Sequence, residues 1–237
     1  MTKKIILALD VNDPDYAMDI VDKFSDYIDI FKVGLELFSA SGPSIVEGIN
    51  KRGKKVFLDL KFHDIPNTVS RAAVSAASMG VYMFNVHTSG GSEMMKRCKE
   101  AVVEYCLKNN CERPKILGVT VLTSIPPDIL KNELCIPHSL KTHVKHLATL
   151  AYDAGLDGVV ASGQEVSMIK NKLGKKFLAV TPGIRASWSP PDDQKRTITP
   201  RDAIREGADY LVIGRAILKH PDPLKALELI NIEILTA

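Results

Sequence analysis

No apolar run in the chain approaches the ~20 residues that a membrane-spanning helix needs. Lys3 and Lys4 precede an apolar run, as in a secretion signal, but that run ends at Asp10, too short for the apolar centre of one. The compartment expected is therefore the cytoplasm. Cysteine is scarce. Cys98, Cys106, Cys111 and Cys135 form no Cys-x-x-Cys pair, and a chain of 237 residues needs no disulfide frame, so free thiols are expected. A dominant charge is also lacking. Lys and Arg number 31 against 28 Asp and Glu, a net charge of +3 that gives no argument for nucleic acid or a membrane surface and tolerates a small anionic ligand. Linkers, low-complexity tracts and abrupt shifts of composition are absent, so residues 1–237 are expected to form one domain.

What is present is alternation. Short runs rich in β-branched residues occur at 5–9, 28–33, 55–60, 81–86, 116–122, 158–161, 177–180 and 210–213. Amphipathic stretches lie between them, among them 69–78, 93–108, 142–154 and 200–206. Asp13-Pro14 has the form of a helix start, with an N-cap and a proline in the first turn. Gly80, Gly155, Gly174 and Gly207 stand where helices turn into strands. Eight strand–helix units of ~25–30 residues predict a parallel sheet, and that number favours a closed (β/α)8 barrel over an open sheet.

In such a barrel the chemistry belongs at the C-terminal ends of the strands. Those ends carry Asp10, Lys32, Asp59 with Lys61, His87, Thr123, Ser162, Thr181-Pro182-Gly183 and Gly214-Arg215. Polar residues where strands meet solvent account for one or two of these, and poorly for a charged set that follows apolar runs. Alternation along a strand puts Asp59 and Lys61 on one side, toward the barrel mouth, and Leu60 on the other. Asp64 follows in the loop, and Pro66 ends the strand. By spacing alone an Asp-Lys-Asp group also fits a surface ion-pair network. In Gly214-Arg215, the glycine lets backbone amides approach a ligand and the arginine offers a planar fork for phosphate.

The segment Asp59-x-Lys61-x-x-Asp64-Ile65-Pro66-Asn67-Thr68 resembles the signature of the orotidine 5′-monophosphate decarboxylase family. Leu9-Asp10, Phe31-Lys32-Val33-Gly34, Thr181-Pro182-Gly183-Ile184-Arg185, Asp193-Gln194-Lys195-Arg196 and Val212-Ile213-Gly214-Arg215 resemble its other motifs, in the same order. The resemblance implies a decarboxylase that works without cofactor or metal. It implies that Asp10 binds a ribose hydroxyl, Lys32 contacts ribose and the neighbouring carboxylates, Asp59 faces the substrate carboxylate and Lys61 donates a proton. Thr123 is implied to hold the pyrimidine, Pro182 to join the substrate-binding set, and Arg185, Gln194, Gly214 and Arg215 to hold the phosphate. Asp64, Ile65 and Thr68 are implied to reach into the site of a partner chain in a homodimer. The loop from Ala186 to Asp193 departs from the small, glycine-rich form usual in the bacterial family: it contains Trp188, Pro190 and Pro191, which bears on loop closure and not on the chemistry.

Two other readings compete. A related barrel aldolase such as hexulose-6-phosphate synthase shares the Asp-x-Lys-x-x-Asp pattern, but the resemblance gives such enzymes Mg2+ and a glutamate where Lys32 stands, and a lysine repels a metal. A non-catalytic phosphosugar- or nucleotide-binding protein would keep Arg215 and the glycines without needing Lys61 between two aspartates. His138, His143 and His146 lie close in sequence but lack a metal-ligand framework, and solvated histidines are expected. His63 receives no catalytic duty from the resemblance.

Overall fold

The computed structural model describes residues 4–188 and 196–237. Eight parallel strands close into a barrel in chain order: β1 (Ile5–Leu9), β2 (Ile30–Gly34), β3 (Lys55–Phe62), β4 (Met83–His87), β5 (Lys115–Val119), β6 (Gly158–Val160), β7 (Leu178–Thr181) and β8 (Tyr210–Ile213). β8 pairs with β1 through Ile5↔Leu211, Ile6↔Val212 and Leu7↔Ile213, which completes the closure. The barrel expected from the alternation is the one observed.

The period of two decides which residues face the axis. Ile6, Ile30, Phe57, Met83, Leu117 and Val180 form an apolar plug inside the barrel. Their sequence neighbours Ile5, Leu7, Phe31, Leu58, Phe84 and Ile116 belong to the larger core between strands and helices. Helices supply the other wall of that core. In Pro14–Phe24, Ala17, Ile20, Val21 and Phe24 are buried at helical spacing, and Asp13 Oδ1 accepts from the amides of Asp15 (2.9 Å) and Tyr16 (3.3 Å), as the expected N-cap. Gly155 and Gly207, which end helices, have φ of +74° and +100°, where any other L-residue meets a steric cost of ~1–2 kcal/mol.

The N-terminal end of the barrel is fastened by carboxylates. Asp157, just before β6, accepts from both terminal nitrogens of Arg113 (2.6 and 2.8 Å) and from the Ile116 amide (2.8 Å). Asp209, just before β8, accepts from Lys170 Nζ (2.6 Å) and the Ala179 amide (2.7 Å). This leaves the opposite end to the site.

Most strand boundaries shift by one to three residues from expectation, and two of these shifts bear on the site. β5 ends at Val119, not at Leu122, because the backbone of Val121 and Leu122 turns its carbonyls to a buried arginine described below. β3 continues to Phe62. Its pairing with β4 steps from Leu58↔Phe84 to Phe62↔Val86, so four residue steps on β3 face two on β4, a bulge that holds Asp59, Leu60 and Lys61. Among the described residues no helix is long and apolar enough to cross a membrane. The four cysteines are free thiols.

Candidate active site

One and two inward steps above the apolar plug, charged residues enter the rows. Ala8 and Asp10 continue the inward row of β1, Lys32 and Gly34 that of β2, and Asp59 that of β3, with Ala8 beside Lys32 and Gly34 beside Asp59 in register. They open into a cavity of about 980 Å³ at the C-terminal ends of the strands. Asp10, Lys32, Asp59 and Lys61 all line it.

These four side chains form a row of alternating charge. Lys32 Nζ lies 2.7 Å from Asp10 Oδ1 and 3.4 Å from Asp59 Oδ2, and Lys61 Nζ lies 2.8 Å from Asp59 Oδ1. The Lys32 and Asp59 side chains are 9% and 13% exposed, and that of Lys61 27%. Opposite charges at ~4 Å in an effective dielectric of ~20 attract by on the order of 4 kcal/mol before desolvation. Burial alone pulls the Lys32 ammonium below its ordinary value. The charges of Asp59 and Asp10, with the hydrogen bonds to them, outweigh it, and the group is raised. The row therefore keeps a buried cation charged, and Lys32 in turn neutralises one oxygen of the carboxylate that holds Lys61. A Cβ on Gly34 would lie 3.0 Å from Lys32 Nζ, so a larger residue there would push on the lysine tip.

Lys61 adopts φ +51°, in the left-handed region. A non-glycine residue there carries strain of on the order of 1 kcal/mol or more. Plain alternation is thus not what aligns Lys61 with Asp59; the bulge and this turn of the backbone do. Leu60 packs outward against the main core. Beside Lys61, the rings of His63 and His87 stack at 5.4 Å, and burial, then His63 and Lys61, push the His87 imidazole below its ordinary value against the pull of Asp59.

Pro182 and Arg185 after β7, Gly214 and Arg215 after β8, and Thr123 and Ser124 after β5 line the same cavity. A Cβ on Gly214 would stand 3.2 Å from the Ala8 Cβ, so glycine lets β8 and β1 close up. The segment after β7 returns on itself: Arg185 N donates to Ile198 O (2.9 Å) and Ile198 N to Gly183 O (3.1 Å).

A profile of the Orotidine 5'-phosphate decarboxylase / HUMPS family matches residues 3–230. The orotidine 5'-phosphate decarboxylase of Moorella thermoacetica is 48% identical over 231 residues, 98% of this chain and 92% of that one. The chain belongs to this family. The enzyme of the same name from Trichlorobacter lovleyi is 49% identical over 234 residues, covering 98% of this chain and 95% of its own. Among solved structures, orotidine 5'-phosphate decarboxylase from Lactobacillus acidophilus superposes with a TM-score of 0.85 at 36% identity, covering 98% of this chain and 99% of that one. An uncharacterized conserved protein from Geobacillus kaustophilus gives 0.84 at 38%, covering 97% and 99%.

Of the residues singled out in the sequence, Asp10, Lys32, Asp59, Lys61, Thr123, Pro182, Arg185, Gly214 and Arg215 converge on one cavity of this family member. Gln194 lies outside the described residues. Asp64, Ile65 and Thr68 do not line the cavity of their own chain. They are exposed, with Ile65 65% so, and Asp64 Oδ1 accepts from the Ile65 amide at 2.6 Å. Ser162 also lines the cavity, and its hydroxyl caps the helix Gly163–Leu173 by accepting from the Gln164 amide. No cluster of three or more His, Cys, Asp or Glu among the described residues is arranged to hold a metal ion.

Two features escaped the sequence reading. Asn85, fully buried in β4, donates from Nδ2 to Asp59 Oδ1 (2.7 Å) and accepts at Oδ1 from the Lys61 amide (2.8 Å). An asparagine at an inward position of an otherwise apolar strand was the available signal. Arg196 is buried against Glu165 (2.5 Å) and donates to the carbonyls of Val121 and Leu122, both at 2.9 Å. Burial pushes the Glu165 carboxyl up despite the guanidinium beside it. At the rim, the Trp188 ring meets His220 edge-on at 5.1 Å, and Ser187 binds Glu233 Oε1 through its amide (3.2 Å) and hydroxyl (3.0 Å). The rest of the atypical loop lies outside the described residues.

Proposed function

We propose that this chain removes carbon dioxide from orotidine 5′-monophosphate to give uridine 5′-monophosphate, in the cytoplasm, as a step of pyrimidine nucleotide synthesis. The observation that carries the reading is the Asp10–Lys32–Asp59–Lys61 row sharing one cavity with Arg185, Gly214 and Arg215. The family and its named relatives support the same reading.

Breaking the bond from C6 to the carboxylate leaves an electron pair in the plane of the pyrimidine, where the π-system cannot take it up. Barriers of this kind demand stabilisation of up to ~23 kcal/mol or more. The residues in place are suited to electrostatic preorganisation. Lys61 places its ammonium beside the developing negative charge and then gives a proton to C6, leaving a neutral amine that solvent recharges. Asp59 and Lys32 hold that ammonium in position. Asp59 also faces the substrate carboxylate, and that repulsion is relieved as carbon dioxide departs. Asp10 binds a ribose hydroxyl, Thr123 and Pro182 bound the pyrimidine, and Arg185, Gln194, Gly214 and Arg215 grip the phosphate. The phosphate is remote from C6, so its binding energy is realised as rate by ordering the site around the ring.

No cofactor or metal takes part in this scheme, and Lys32 puts a positive charge where the related aldolases bind one. The enzyme is a homodimer in which Asp64, Ile65 and Thr68 complete the partner's site. An apolar side chain as exposed as Ile65, at the tip of the strand-three motif, supports a second chain there. The test is absorbance of orotidine monophosphate with purified protein in excess EDTA. Steady loss of substrate with formation of uridine monophosphate is expected. A protein inert towards this nucleotide, with Mg2+-dependent turnover of a hexulose phosphate, overturns the reading.

A further inference from the structure

We propose that Asn85 is a positioning residue for the reaction, its side-chain amide setting both the orientation of the Asp59 carboxylate and the left-handed backbone of Lys61. The proposal rests on the decarboxylase reading above. Asn85 does not line the cavity, so it does not touch substrate. It is fully buried, and a buried amide is costly unless both its ends are satisfied. Both are, and each by a member of the charged row: Nδ2 by Asp59 Oδ1 at 2.7 Å, Oδ1 by the Lys61 N–H at 2.8 Å. The amide cannot be reversed, because that would set NH2 against an N–H and oxygen against a carboxylate.

Each contact answers a local problem. The bulge breaks the β3–β4 ladder between Leu58 and Phe62, which leaves the Lys61 amide to find another acceptor. Asn85 Oδ1 supplies it and fixes the residue at φ +51°. Asp59 Oδ1 then receives two donors, Asn85 Nδ2 and Lys61 Nζ (2.8 Å), and Oδ2 is turned to Lys32 at 3.4 Å. One amide thus ties the main chain of Lys61 to the carboxylate that holds its ammonium.

Asn85→Ala, Asn85→Ser and Asn85→Asp test this, with kcat for orotidine monophosphate and Kd for uridine monophosphate measured at pH 8. We expect Asn85→Ala to lower kcat on the order of 10- to 100-fold, the scale of a lost hydrogen bond to a charged group. Nucleotide affinity stays within about threefold, since the phosphate and ribose contacts are untouched. Asn85→Asp, although isosteric, is at least as damaging as Asn85→Ala, because it sets a like charge against Asp59. A packing role predicts the opposite order, and also predicts that kcat and affinity fall together. Either result, or an Asn85→Ala kcat within about threefold of the parent, overturns the proposal. A parent protein inert towards orotidine monophosphate sinks the decarboxylase reading instead. Crystal structures of whichever variants fold then decide alone: Lys61 leaves positive φ if Asn85 holds it there, and an unchanged backbone overturns the proposal.

Discussion

A lysine ammonium proposed to act beside a reacting carbon must be held in place, and the neighbours of Lys61 meet that need. Asp59 supplies a countercharge at 2.8 Å, and Lys32, itself raised by Asp59 and Asp10, lies 3.4 Å from the other oxygen of that carboxylate. On the same cavity, Arg215→Ala should lower kcat/KM far more for orotidine monophosphate than for the nucleoside without phosphate, since only the former uses the proposed phosphate grip. Equal losses on both substrates would remove Arg215 from the phosphate site. His87 gives a pH prediction. Its folded value lies below the unfolded ~6.5, so the unfolded chain binds more protons as pH falls. The stability it contributes is present above ~6.5 and is lost as pH drops below that value towards the folded one. His143 is lowered too and acts in the same window. His87→Asn should therefore flatten, not abolish, the fall in thermal midpoint between about pH 7.5 and 5.5; an unaltered slope would contradict the assignment. Asp59, Lys61 and Arg215 were legible in the sequence because charge stands out after apolar runs. Asn85 was not, because an uncharged amide in a strand declares its partners only when the neighbouring strand is in place.

Among the elements, the loop ends are fastened by a buried pair. Arg196 joins the return segment after β7 to Glu165 in the helix Gly163–Leu173 and to the carbonyls of Val121 and Leu122, next to Thr123. Glu165→Gln leaves the buried guanidinium uncompensated, and denaturant unfolding should show a loss of about 3 kcal/mol or more. A change under about 0.5 kcal/mol would mean the pair is dispensable to the fold. The same arginine explains why β5 stops at Val119 although its apolar run continues. Sequence patterning marks where a strand is apolar, not where its carbonyls are claimed by a residue some 75 positions away. The bulge in β3 was hidden for a similar reason: alternation placed Asp59 and Lys61 on one side, and the structure reaches that outcome through two extra residues and a left-handed lysine.

At the scale of the whole molecule, the barrel was the most legible feature, because eight strand–helix repeats leave few topologies open and each strand's period of two sorts its residues into an inner plug and an outer core. Stability and function are also divided along the axis, with Asp157 and Asp209 fastening the N-terminal end and the charged row occupying the other. Asp64 is exposed and does not line the cavity of its own chain. Its proposed part in the chemistry needs a second chain. The most direct test is to mix Lys61→Ala chains with Asp64→Ala chains, verify subunit exchange by native mass spectrometry, and follow orotidine monophosphate. Each parent variant should be nearly inactive. Random re-pairing makes half the dimers mixed, each with one intact site of two, so about one quarter of the wild-type activity should return. Mixed dimers that stay as inactive as their parents, or an Asp64→Ala protein as active as the wild type, would contradict a site built from two chains.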